Sequence, residues 1–361
     1  MKKVLVTGAA GFIGSALIKR LAQQGYEVTG IDNINYYYDP RLKIDRLADC
    51  GIVHLNDCFV EEVVPENGSN QSIRYSSFPF NKTVKSSLYP NLRFIRLDIT
   101  DRSLLPDLFN QEKFDYVVNL AAQAGVRYSI KNPWAYVDTN INGFLNVLEC
   151  CRMFPVKHLV YASSSSVYGL NENAPYQECD KVDNPVSLYA ATKKSNELMA
   201  YSYSKLYGIP VTGLRYFTVY GPWGRPDMAP MLFANAIFAN EPINVFNYGN
   251  MIRDFTFIDD IVSGTSMAME HCPDKDENEV PAIVYNIGCG HPVRLMDFVS
   301  VLENEIGIKA NINYLPMQQG DVYMTNADTT LLETKVGYKT QVRIEDGIRQ
   351  FVEWYKHYFG L

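Results

Sequence analysis

A glycine-rich turn near the start of the chain has the residues to bind a phosphate group. Gly8-Ala9-Ala10-Gly11-Phe12-Ile13-Gly14 follows a short apolar run and precedes a helical pattern. Glycines permit a tight turn and close approach of the backbone, and a helix N-terminus offers free N–H groups to a pyrophosphate. The spacing is GxxGxxG rather than the commoner GxGxxG, so the motif alone also fits a purely structural turn.

Asp32 favours the phosphate-binding interpretation. It ends the second predicted strand, where a carboxylate accepts hydrogen bonds from both ribose hydroxyls of a dinucleotide and repels a 2′-phosphate. No Lys or Arg occurs between Asp32 and Asn35, so the sequence predicts NAD rather than NADP. Asp98, at the end of the third predicted strand, is a candidate for the adenine edge or, alternatively, a cap of the helix near Asp101.

A phenol and an ammonium group lie four residues apart in Tyr189-Ala190-Ala191-Thr192-Lys193, on one face of a predicted helix. A tyrosine is a poor base at neutral pH unless a cation stabilises its phenolate, and Lys193 and an oxidised nicotinamide would supply that charge. The segment Tyr201-Ser202-Tyr203-Ser204-Lys205 has the same spacing. The first copy has a partner in the serine run of residues 163–166, which lies 25 residues before Tyr189 at the end of the fifth predicted strand, where open parallel sheets place their ligands. The second copy has no such partner.

The elements that would position these groups alternate along the chain. Short β-branched runs predict strands at Lys3 to Thr7, Glu27 to Ile31, Arg93 to Leu97, Tyr116 to Leu120, His158 to Ala162 and Val211 to Phe217. Helical patterns lie between them at Phe12 to Gln24, Pro133 to Arg152 and Pro185 to Tyr207. This rhythm predicts an α/β fold with a Rossmann-type doubly wound parallel sheet.

Two regions interrupt the alternation. A polar stretch between Asp49 and Asn91 predicts an excursion on the surface, and the turn Gly221 to Pro226 ends the regular pattern. We therefore predict a cofactor-binding Rossmann domain at 1–217, with a return segment near 243–270. A smaller mixed α/β domain for the substrate is predicted at 218–361.

Composition limits the classes of function. Of 361 residues, 47% are hydrophobic and 20% charged, and 33 Lys plus Arg against 40 Asp plus Glu give a net charge of −7. That balance argues against a nucleic-acid partner or an anionic membrane surface. No apolar run approaches a membrane span or a signal peptide, so we expect a cytoplasmic protein. The seven cysteines show no CxxC pair or metal spacing, which favours free thiols and no metal site.

The chain resembles the extended short-chain dehydrogenase/reductase family, in its NAD-dependent sugar-nucleotide epimerase branch. The resemblance rests on the glycine motif, Leu120-Ala121-Ala122, Ser164 with Tyr189 and Lys193, Arg215-Tyr216-Phe217 and Arg253-Asp254-Phe255. It implies that Ser164, Tyr189 and Lys193 are the catalytic triad and that NAD stays tightly bound. The implied cofactor site consists of Gly8, Gly11, Phe12, Ile13, Gly14, Asp32, Asn33, Asp98, Ile99, Leu120, Ala121, Ala122, Tyr189, Lys193 and Tyr216.

Within that branch the sequence is most similar to UDP-glucuronate 4-epimerases. The similar segments are Asp32 to Asp39, Ala122 to Ser129, Phe217 to Met228 and Gln319 to Val322. The resemblance implies a UDP-sugar substrate, a homodimer formed through the Tyr189 helix and the helix from Pro133, and a role in polysaccharide biosynthesis.

The residues after Ser164 bear on the reaction. Related dehydratases and decarboxylases carry an acidic residue there, whereas this chain has Ser165 and Ser166, which are poor proton shuttles near pH 7. We therefore expect removal of a hydride from C4 of the sugar, rotation of the 4-keto intermediate and return of the hydride. Because a 4-keto uronate is a β-keto acid that can lose CO2, its carboxylate has to be held still.

Several side chains are candidates for holding the substrate. Ser165, Ser166 and Thr218 could donate to the carboxylate, with Arg225 as the cation. Arg225 could instead brace its loop or contact a phosphate, and Arg127 could either contact substrate or cap the start of the following helix. The resemblance implies a phosphate role for Arg253, whose alternative is an exposed strand end. It also implies that Asp321 binds a ribose hydroxyl or the phosphate-binding arginine.

Three other functions stay open. A 4-epimerase for neutral UDP-hexoses would use the same triad without a carboxylate to hold, and a UDP-glucuronate decarboxylase would need the acidic residue that is missing. A non-catalytic NAD-binding sensor would not need Ser164, Tyr189 and Lys193 together.

Overall fold

The computed structural model describes residues 1–53, 59–66, 69–76, 78–318 and 321–361, and over 59–66 and 69–76 it describes the backbone alone. The strands are β1 Lys3–Thr7, β2 Glu27–Asp32, β3 Phe59–Glu66, β4 Ser69–Ser76, β5 Thr83–Lys85, β6 Leu92–Arg96, β7 Tyr116–Asn119, β8 His158–Ser164, β9 Val211–Tyr216, β10 Thr218–Tyr220, β11 Pro242–Val245, β12 Ile252–Arg253, β13 Phe255–Phe257, β14 Ala282–Ile287, β15 Val293–Arg294 and β16 Asn311–Tyr314. The α-helices are α1 Phe12–Gln23, α2 Arg41–Asp49, α3 Leu104–Glu112, α4 Tyr128–Lys131, α5 Pro133–Tyr136, α6 Phe144–Met153, α7 Leu188–Tyr207, α8 Ala229–Phe238, α9 Ile258–Glu270, α10 Leu295–Ile306, α11 Thr330–Val336 and α12 Ile344–Phe359. A π-helix spans Val137–Gly143, and 3-10 turns span Ser165–Tyr168 and Phe246–Gly249.

An eight-stranded sheet organises the molecule in the order β14-β9-β8-β7-β1-β2-β6-β5. Neighbouring strands run parallel except β5, which is antiparallel to β6. From β1 the chain proceeds outward through β2 and β6 on one side and through β7, β8 and β9 on the other, which is the doubly wound topology. The six strands predicted from the sequence are β1, β2, β6, β7, β8 and β9, and the α/β, Rossmann-type fold class is confirmed.

Helices cover both faces of this sheet. Val4 and Val6 of β1 belong to an apolar cluster with α1 and α9, whereas Leu5 belongs to a second cluster with α3 and α6. Alternate side chains of a strand point to opposite faces, so β1 is buried on both sides. This burial explains why the predicted strands are nearly continuous apolar runs.

Two helices differ from the sequence prediction. The single helix expected from Pro133 to Arg152 is α5, the π-helix and α6 in succession. The helix expected from Pro185 is α7, which starts at Leu188 because the Ser187 hydroxyl accepts a hydrogen bond from the Ala190 N–H at 3.1 Å and caps it.

The chain after β9 builds three small two-stranded sheets and then returns to the large one. The small sheets pair β10 with β13, β11 with β16, and β12 with β15. The helix α9 packs on α1, and β14 lies beside β9 at the edge of the large sheet. The return to the sheet thus includes residues beyond the segment near 243–270, and the division at residue 217 stays a prediction.

The polar segment 49–91 contains the antiparallel hairpin β3–β4 and the edge strand β5. Along the chain it separates β2 from β6, as the sequence predicts for an excursion between neighbouring strands. In the described ranges, no helix combines the length and the apolar character needed to cross a bilayer.

Candidate active site

A cavity of about 1270 Å³ lies at the carboxyl ends of the central strands. Its lining includes residues at the ends of β1, β2, β7, β8 and β9. Every residue that the sequence predicts for the cofactor, the catalytic group and the substrate also lines it. The fold thus brings together residues that are as far apart in the sequence as Gly8 and Asp321.

The glycine-rich turn is tightly packed against the next loop. Gly8 has a φ of 71°, and a Cβ placed on it would lie 2.8 Å from the backbone nitrogen of Ala121. A Cβ on Gly14 would lie 2.0 Å from the Gly8 carbonyl oxygen. No side chain caps the N-terminus of α1 at Gly11, so its first N–H groups face the cavity without a side-chain acceptor. This arrangement fits the pyrophosphate of a dinucleotide.

The carboxylate of Asp32 is fixed at the end of β2. Its Oδ2 accepts from the Ala10 N–H at 3.2 Å and its Oδ1 from the Ile34 N–H at 2.8 Å. A carboxylate has about four acceptor positions, so Asp32 keeps capacity for ribose hydroxyls. This acceptor therefore fits the ribose hydroxyls in the adenosine part of NAD.

Asp98 participates in a local network rather than capping α3. Its Oδ2 accepts from Asn33 Nδ2 at 2.7 Å and its Oδ1 from the Thr100 N–H at 2.8 Å. Asp101 accepts from the backbone at the start of α3 instead. Asp98 thus lines the cavity and also positions Asn33.

The remaining predicted cofactor residues form the walls of this end of the cavity. They are Phe12, Ile13, Ile99, Leu120, Ala121 and Ala122. The Ala121 N–H donates to Thr7 Oγ1 at 3.0 Å, which fixes the loop after β7. Tyr216 lines the cavity as well, but its hydroxyl is hydrogen-bonded to Thr265 Oγ1 at 2.9 Å. We therefore expect the Tyr216 phenol to act structurally.

The proposed catalytic group is assembled from β8 and α7. Ser164 is the last residue of β8, Tyr189 lies in the first turn of α7, and Lys193 follows one turn later. Lys193 Nζ lies 6.0 Å from the centre of the Tyr189 ring and donates to the Ala162 carbonyl at 2.8 Å. A π-helical residue supports this region, because Asn140 Nδ2 donates to Thr192 Oγ1 at 3.0 Å.

Burial and charge act on the two titratable groups of this set. Burial raises the pKa of the Tyr189 phenol above its usual value, while a hydrogen bond with Ser164 and the charge of Arg225 act in the opposite direction. Burial lowers the pKa of Lys193 to about 8, so the ammonium is mostly charged at pH 7. A positive charge beside the ring favours the phenolate.

The second tyrosine–lysine pair is placed differently. Tyr201 Oη donates to Asp276 at 3.0 Å, and Lys205 Nζ donates to the Asn278 carbonyl at 2.6 Å. Neither residue lines the cavity. Tyr201 and Lys205 therefore contact residues at the surface and take no part in the cavity.

Short hydroxyl side chains line the wall next to Tyr189. Ser165 and Ser166 lie in the 3-10 turn after β8, and the Ser166 hydroxyl donates to Ser164 Oγ at 2.9 Å. Thr218 begins β10 and also lines the cavity. These hydroxyls are available to a polar group of the substrate.

Arg225 is held in an ion pair rather than free. Its Nε donates to Asp227 Oδ1 at 3.0 Å and its Nη2 to Oδ2 at 2.5 Å, while Tyr37 Oη also donates to Oδ2 at 3.0 Å. Although burial acts to raise it, the guanidinium of Arg225 holds the pKa of Asp227 below its usual value. The ion pair braces the loop and Arg225 lines the cavity, whereas a contact of Arg225 with the substrate stays a prediction.

Arg253 and Asp321 contact each other in the lining of the cavity. Arg253 Nη2 donates to Asp321 Oδ1 at 2.9 Å and to the Val322 carbonyl at 2.7 Å. Of the two roles that the resemblance implies for Asp321, the structure has the contact with the arginine. Gln319 and Gly320, from the same similar segment, lie outside the described residues.

Arg127 is exposed at the rim of the cavity. It occupies the position before α4, but its side chain makes no capping hydrogen bond. The guanidinium lies over the ring of Phe246, 5.3 Å from the ring centre. The structure therefore does not have the side-chain cap that was the alternative role of Arg127.

The sequence does not predict the positions of two buried cations on α2. Lys43 lines the cavity and donates to the Asn35 carbonyl at 2.9 Å and to Asn35 Oδ1 at 2.7 Å. Arg46 is 1% exposed and lies behind the glycine-rich turn. The available signal was their position on the same helix face as the buried Leu42 and Leu47.

The structure gives the positions of the cysteines and of the side chains that could bind a metal ion. The cysteines of the described ranges are free thiols, and Cys58 lies outside those ranges. Among the described residues, no group of three or more His, Cys, Asp or Glu side chains is arranged to hold a metal ion.

Comparisons with known proteins agree with this geometry. The model of the family described as "NAD dependent epimerase/dehydratase family" matches residues 4–288. The chain is 47% identical to Protein CapI of Staphylococcus aureus over 99% of both chains, and 43% identical to a probable UDP-glucuronate 4-epimerase of Rhizobium meliloti over 98% of this chain and 96% of that protein. The crystal structure of UDP-glucuronic acid 4-epimerase from Bacillus cereus, in complex with UDP-glucuronic acid and NAD, superposes with a TM-score of 0.81 at 32% identity over 99% of both chains. The chain therefore belongs to the NAD dependent epimerase/dehydratase family.

Proposed function

We propose that the protein is an isomerase that interconverts UDP-glucuronate and UDP-galacturonate by NAD-dependent epimerisation at C4. The observation that carries the proposal is the meeting of Ser164, Tyr189 and Lys193 with the glycine-rich turn and Arg225 in one cavity. The similarity to the Bacillus cereus enzyme, whose structure contains UDP-glucuronic acid and NAD, supports the same substrate and cofactor.

In this mechanism Tyr189 is the acid and base at the sugar O4. Bound NAD supplies the acceptor and later the donor of the C4 hydride. Ser164 donates to O4 and orients it, and Tyr189 takes the O4 proton as the C4–H bond breaks and the C4=O bond forms. After the 4-keto sugar rotates in the site, the hydride returns to the other face of C4 and Tyr189 gives the proton back to O4. The reaction has no net redox change.

Lys193 has two functions in the proposal. Its charge stabilises the Tyr189 phenolate, and it also holds the nicotinamide ribose. The contact with the Ala162 carbonyl keeps the ammonium beside the ring. Because burial lowers the pKa of Lys193 to about 8, its charge and the activity should fall together above that pH.

The carboxylate of the sugar determines whether CO2 is lost. Ser165, Ser166 and Thr218 are the proposed donors to it, with Arg225 as the nearby cation. Loss of CO2 requires the carboxylate bond to align with the carbonyl π-system, so fixed donors that hold the carboxylate out of that alignment protect the intermediate. Asp227 neutralises part of the Arg225 charge and so permits the sugar to detach and rotate.

The nucleotide part of the substrate would bind near Arg253 and Asp321, which both line the cavity. Arg253 is proposed to contact the diphosphate. Its Nη1 donates to the Ile252 and Tyr323 carbonyls and its Nη2 to Asp321 and the Val322 carbonyl, and these contacts hold its plane in place. Asp321 would fix that arginine, and Arg127 would contact the substrate at the rim. Arginine suits phosphate because its planar donors match the oxygens.

A 4-epimerase for neutral UDP-hexoses is the nearest alternative, and a decarboxylase is less well supported because Ser165 and Ser166 replace the acid. To distinguish them, purified protein is incubated with UDP-glucuronate and the products are followed by NMR. We expect UDP-galacturonate to form towards equilibrium without accumulation of NADH. UDP-xylose with CO2 would contradict the carboxylate argument, and turnover of neutral UDP-hexoses alone would establish the alternative.

Matched variants sharpen this test. Thr218→Val removes a proposed carboxylate donor, whereas Ser202→Ala on the outer part of α7 serves as a control. A loss confined to uronate substrates supports the proposal. Equal effects on uronates and neutral hexoses would contradict it. If Tyr189→Phe leaves the activity unchanged, another group transfers the proton. If the unchanged protein turns over neither UDP-glucuronate nor neutral UDP-hexoses, the non-catalytic sensor becomes the better explanation.

We also propose that the protein is a cytoplasmic homodimer whose product serves polysaccharide synthesis. Large apolar side chains on α5 and α7 support the dimer, since Trp134, Leu198 and Leu206 are 74%, 61% and 67% exposed. Leu198 and Leu206 lie two turns apart on one face of α7. Light scattering after gel filtration should give the mass of two chains, and Leu198→Glu should give that of one.

A further inference from the structure

Arg46 is a buried cation that no carboxylate neutralises among the residues that the structure describes. Its side chain is 1% exposed, and no ion pair in the described part of the chain includes it. Each of its nitrogens donates instead to a neutral oxygen, either a backbone carbonyl or the hydroxyl of Tyr38. A buried charge without a partner is costly, so its retention needs a physical reason.

The backbone carbonyls that Arg46 contacts belong to two loops. Nη1 donates to the Ala10 carbonyl of the glycine-rich turn at 3.3 Å. Nε and Nη2 donate to the Trp223 carbonyl at 3.0 and 2.7 Å, and Nη2 also donates to the Gly224 carbonyl at 3.2 Å. One guanidinium therefore joins the proposed pyrophosphate loop to the loop that begins after β10.

The second loop needs this support because of its backbone. Trp223 has a φ of 64°, in the left-handed region that residues other than glycine seldom adopt. The two hydrogen bonds from Arg46 to its carbonyl fix that conformation. The next residues in the loop are Gly224 and Arg225, so the position of the Arg225–Asp227 pair depends on the same carbonyls.

Electrostatics connect Arg46 to the occupant of the glycine-rich turn. The Tyr38 ring lies 5.5 Å from the Arg46 guanidinium and 5.2 Å from Lys43 Nζ, and Lys43 also has no carboxylate partner in the described part of the chain. The buried positive charge of Arg46, which contacts the Ala10 carbonyl just before α1, is stabilised when an anion binds at the N-terminus of that helix. Lys43 adds a second positive charge to the lining of the same cavity. Such an anion would favour the arrangement in which Arg46 holds both loops.

We propose that Arg46 is a positioning residue that couples occupation of the dinucleotide site to the shape of the substrate loop 221–228. The proposal rests on the proposed function, because it assumes one site for NAD and another for a UDP-sugar. Binding at either site should then strengthen binding at the other, since coupling between two sites is reciprocal.

The test measures how UDP changes the release of NAD from the purified holoenzyme. NAD release is followed after dilution, with and without saturating UDP, in the unchanged protein, in Arg46→Met and in Arg41→Met. Arg41 lies on the same helix, is exposed and pairs with Asp39, so it is the matched control. UDP is a suitable probe because it binds without turnover.

We expect UDP to slow NAD release at least about fivefold in the unchanged protein, within the usual range of coupling between sites. The factor should stay the same in Arg41→Met and fall to about one in Arg46→Met. Arg46→Lys keeps the charge but not the planar fork, and should give an intermediate factor. That variant decides the question if Arg46→Met does not fold.

Two results would overturn the coupling while leaving the proposed function intact. One is UDP-glucuronate turnover by a protein whose NAD release is indifferent to UDP. The other is a folded Arg46→Met, or a folded Arg46→Lys, that keeps the full factor of the unchanged protein. A purified protein that retains no NAD and turns over no UDP-sugar would instead remove the proposed function, and this proposal with it.

Discussion

Replacing Lys193 by methionine should change how the free energy of unfolding depends on pH. Burial lowers the pKa of this ammonium from 10.5 to about 8 in the folded chain. At about 1.4 kcal/mol for each unit of pKa, the folded chain bears a cost of about 3 kcal/mol for charging Lys193 at pH 7. Between about pH 8 and 10.5 the unfolded chain binds this proton and the folded chain releases it, so stability rises with pH across that window.

The size of the effect follows from that window. About 2 kcal/mol of the charging cost disappears between pH 7 and pH 9.5. Between these two pH values, the free energy of unfolding of the unchanged protein should therefore rise by about 2 kcal/mol relative to that of Lys193→Met. The lost hydrogen bond to the Ala162 carbonyl lowers the stability of the variant at both pH values and cancels from the comparison.

Urea unfolding of the nucleotide-free proteins at the two pH values provides the measurement. Lys205→Met is the control, because Lys205 occupies the same place in the second tyrosine–lysine pair but lies at the surface. The control should follow the pH dependence of the unchanged protein. A constant difference between Lys193→Met and the unchanged protein at both pH values would refute the reasoning.

Three further predictions follow from contacts around the cavity. Glu197→Gln breaks the buried ion pair with Arg215, whose Nε–Oε1 distance is 2.9 Å, and should lower the free energy of unfolding by about 3–5 kcal/mol in urea titrations; a loss below about 1 kcal/mol would match an exposed pair and contradict this. Gly14→Ala places a methyl group 2.0 Å from the Gly8 carbonyl oxygen, so the purified variant should release no NAD on heating, whereas the unchanged protein should release close to one equivalent. Tyr189→Phe should reduce kcat by about 10²- to 10⁴-fold by NMR assay with NAD retention unchanged, and a smaller loss would assign the proton transfer to another group.

The sequence predicts the large sheet well because its signals are local. A strand buried on both faces needs a continuous apolar run, and β1 begins and ends at the predicted residues. The glycine-rich turn and Asp32 were found in the same way, since each follows directly from a strand end. The proposed triad depends on one longer step, from the serine run to the start of α7.

Contacts between distant segments could not be found from spacing. Nothing in the sequence near Arg46 indicates that its acceptors are carbonyls at Trp223 and Gly224. Likewise, the absence of a cation between Asp32 and Asn35 is a local statement, and the structure brings Lys43 to the Asn35 side chain from the following helix. A buried cation takes its partners from whichever loops the fold brings to it.

The place of β14 in the large sheet limits how the chain can be divided. β14 covers the edge of β9, and α9, just before it, covers part of α1. A fragment that stops at residue 217 would leave a row of unpaired backbone groups on β9, which invites aggregation. The large sheet is therefore not complete in a fragment that ends after β9. Expression fragments or circular permutants would need residues up to 287 to close that edge.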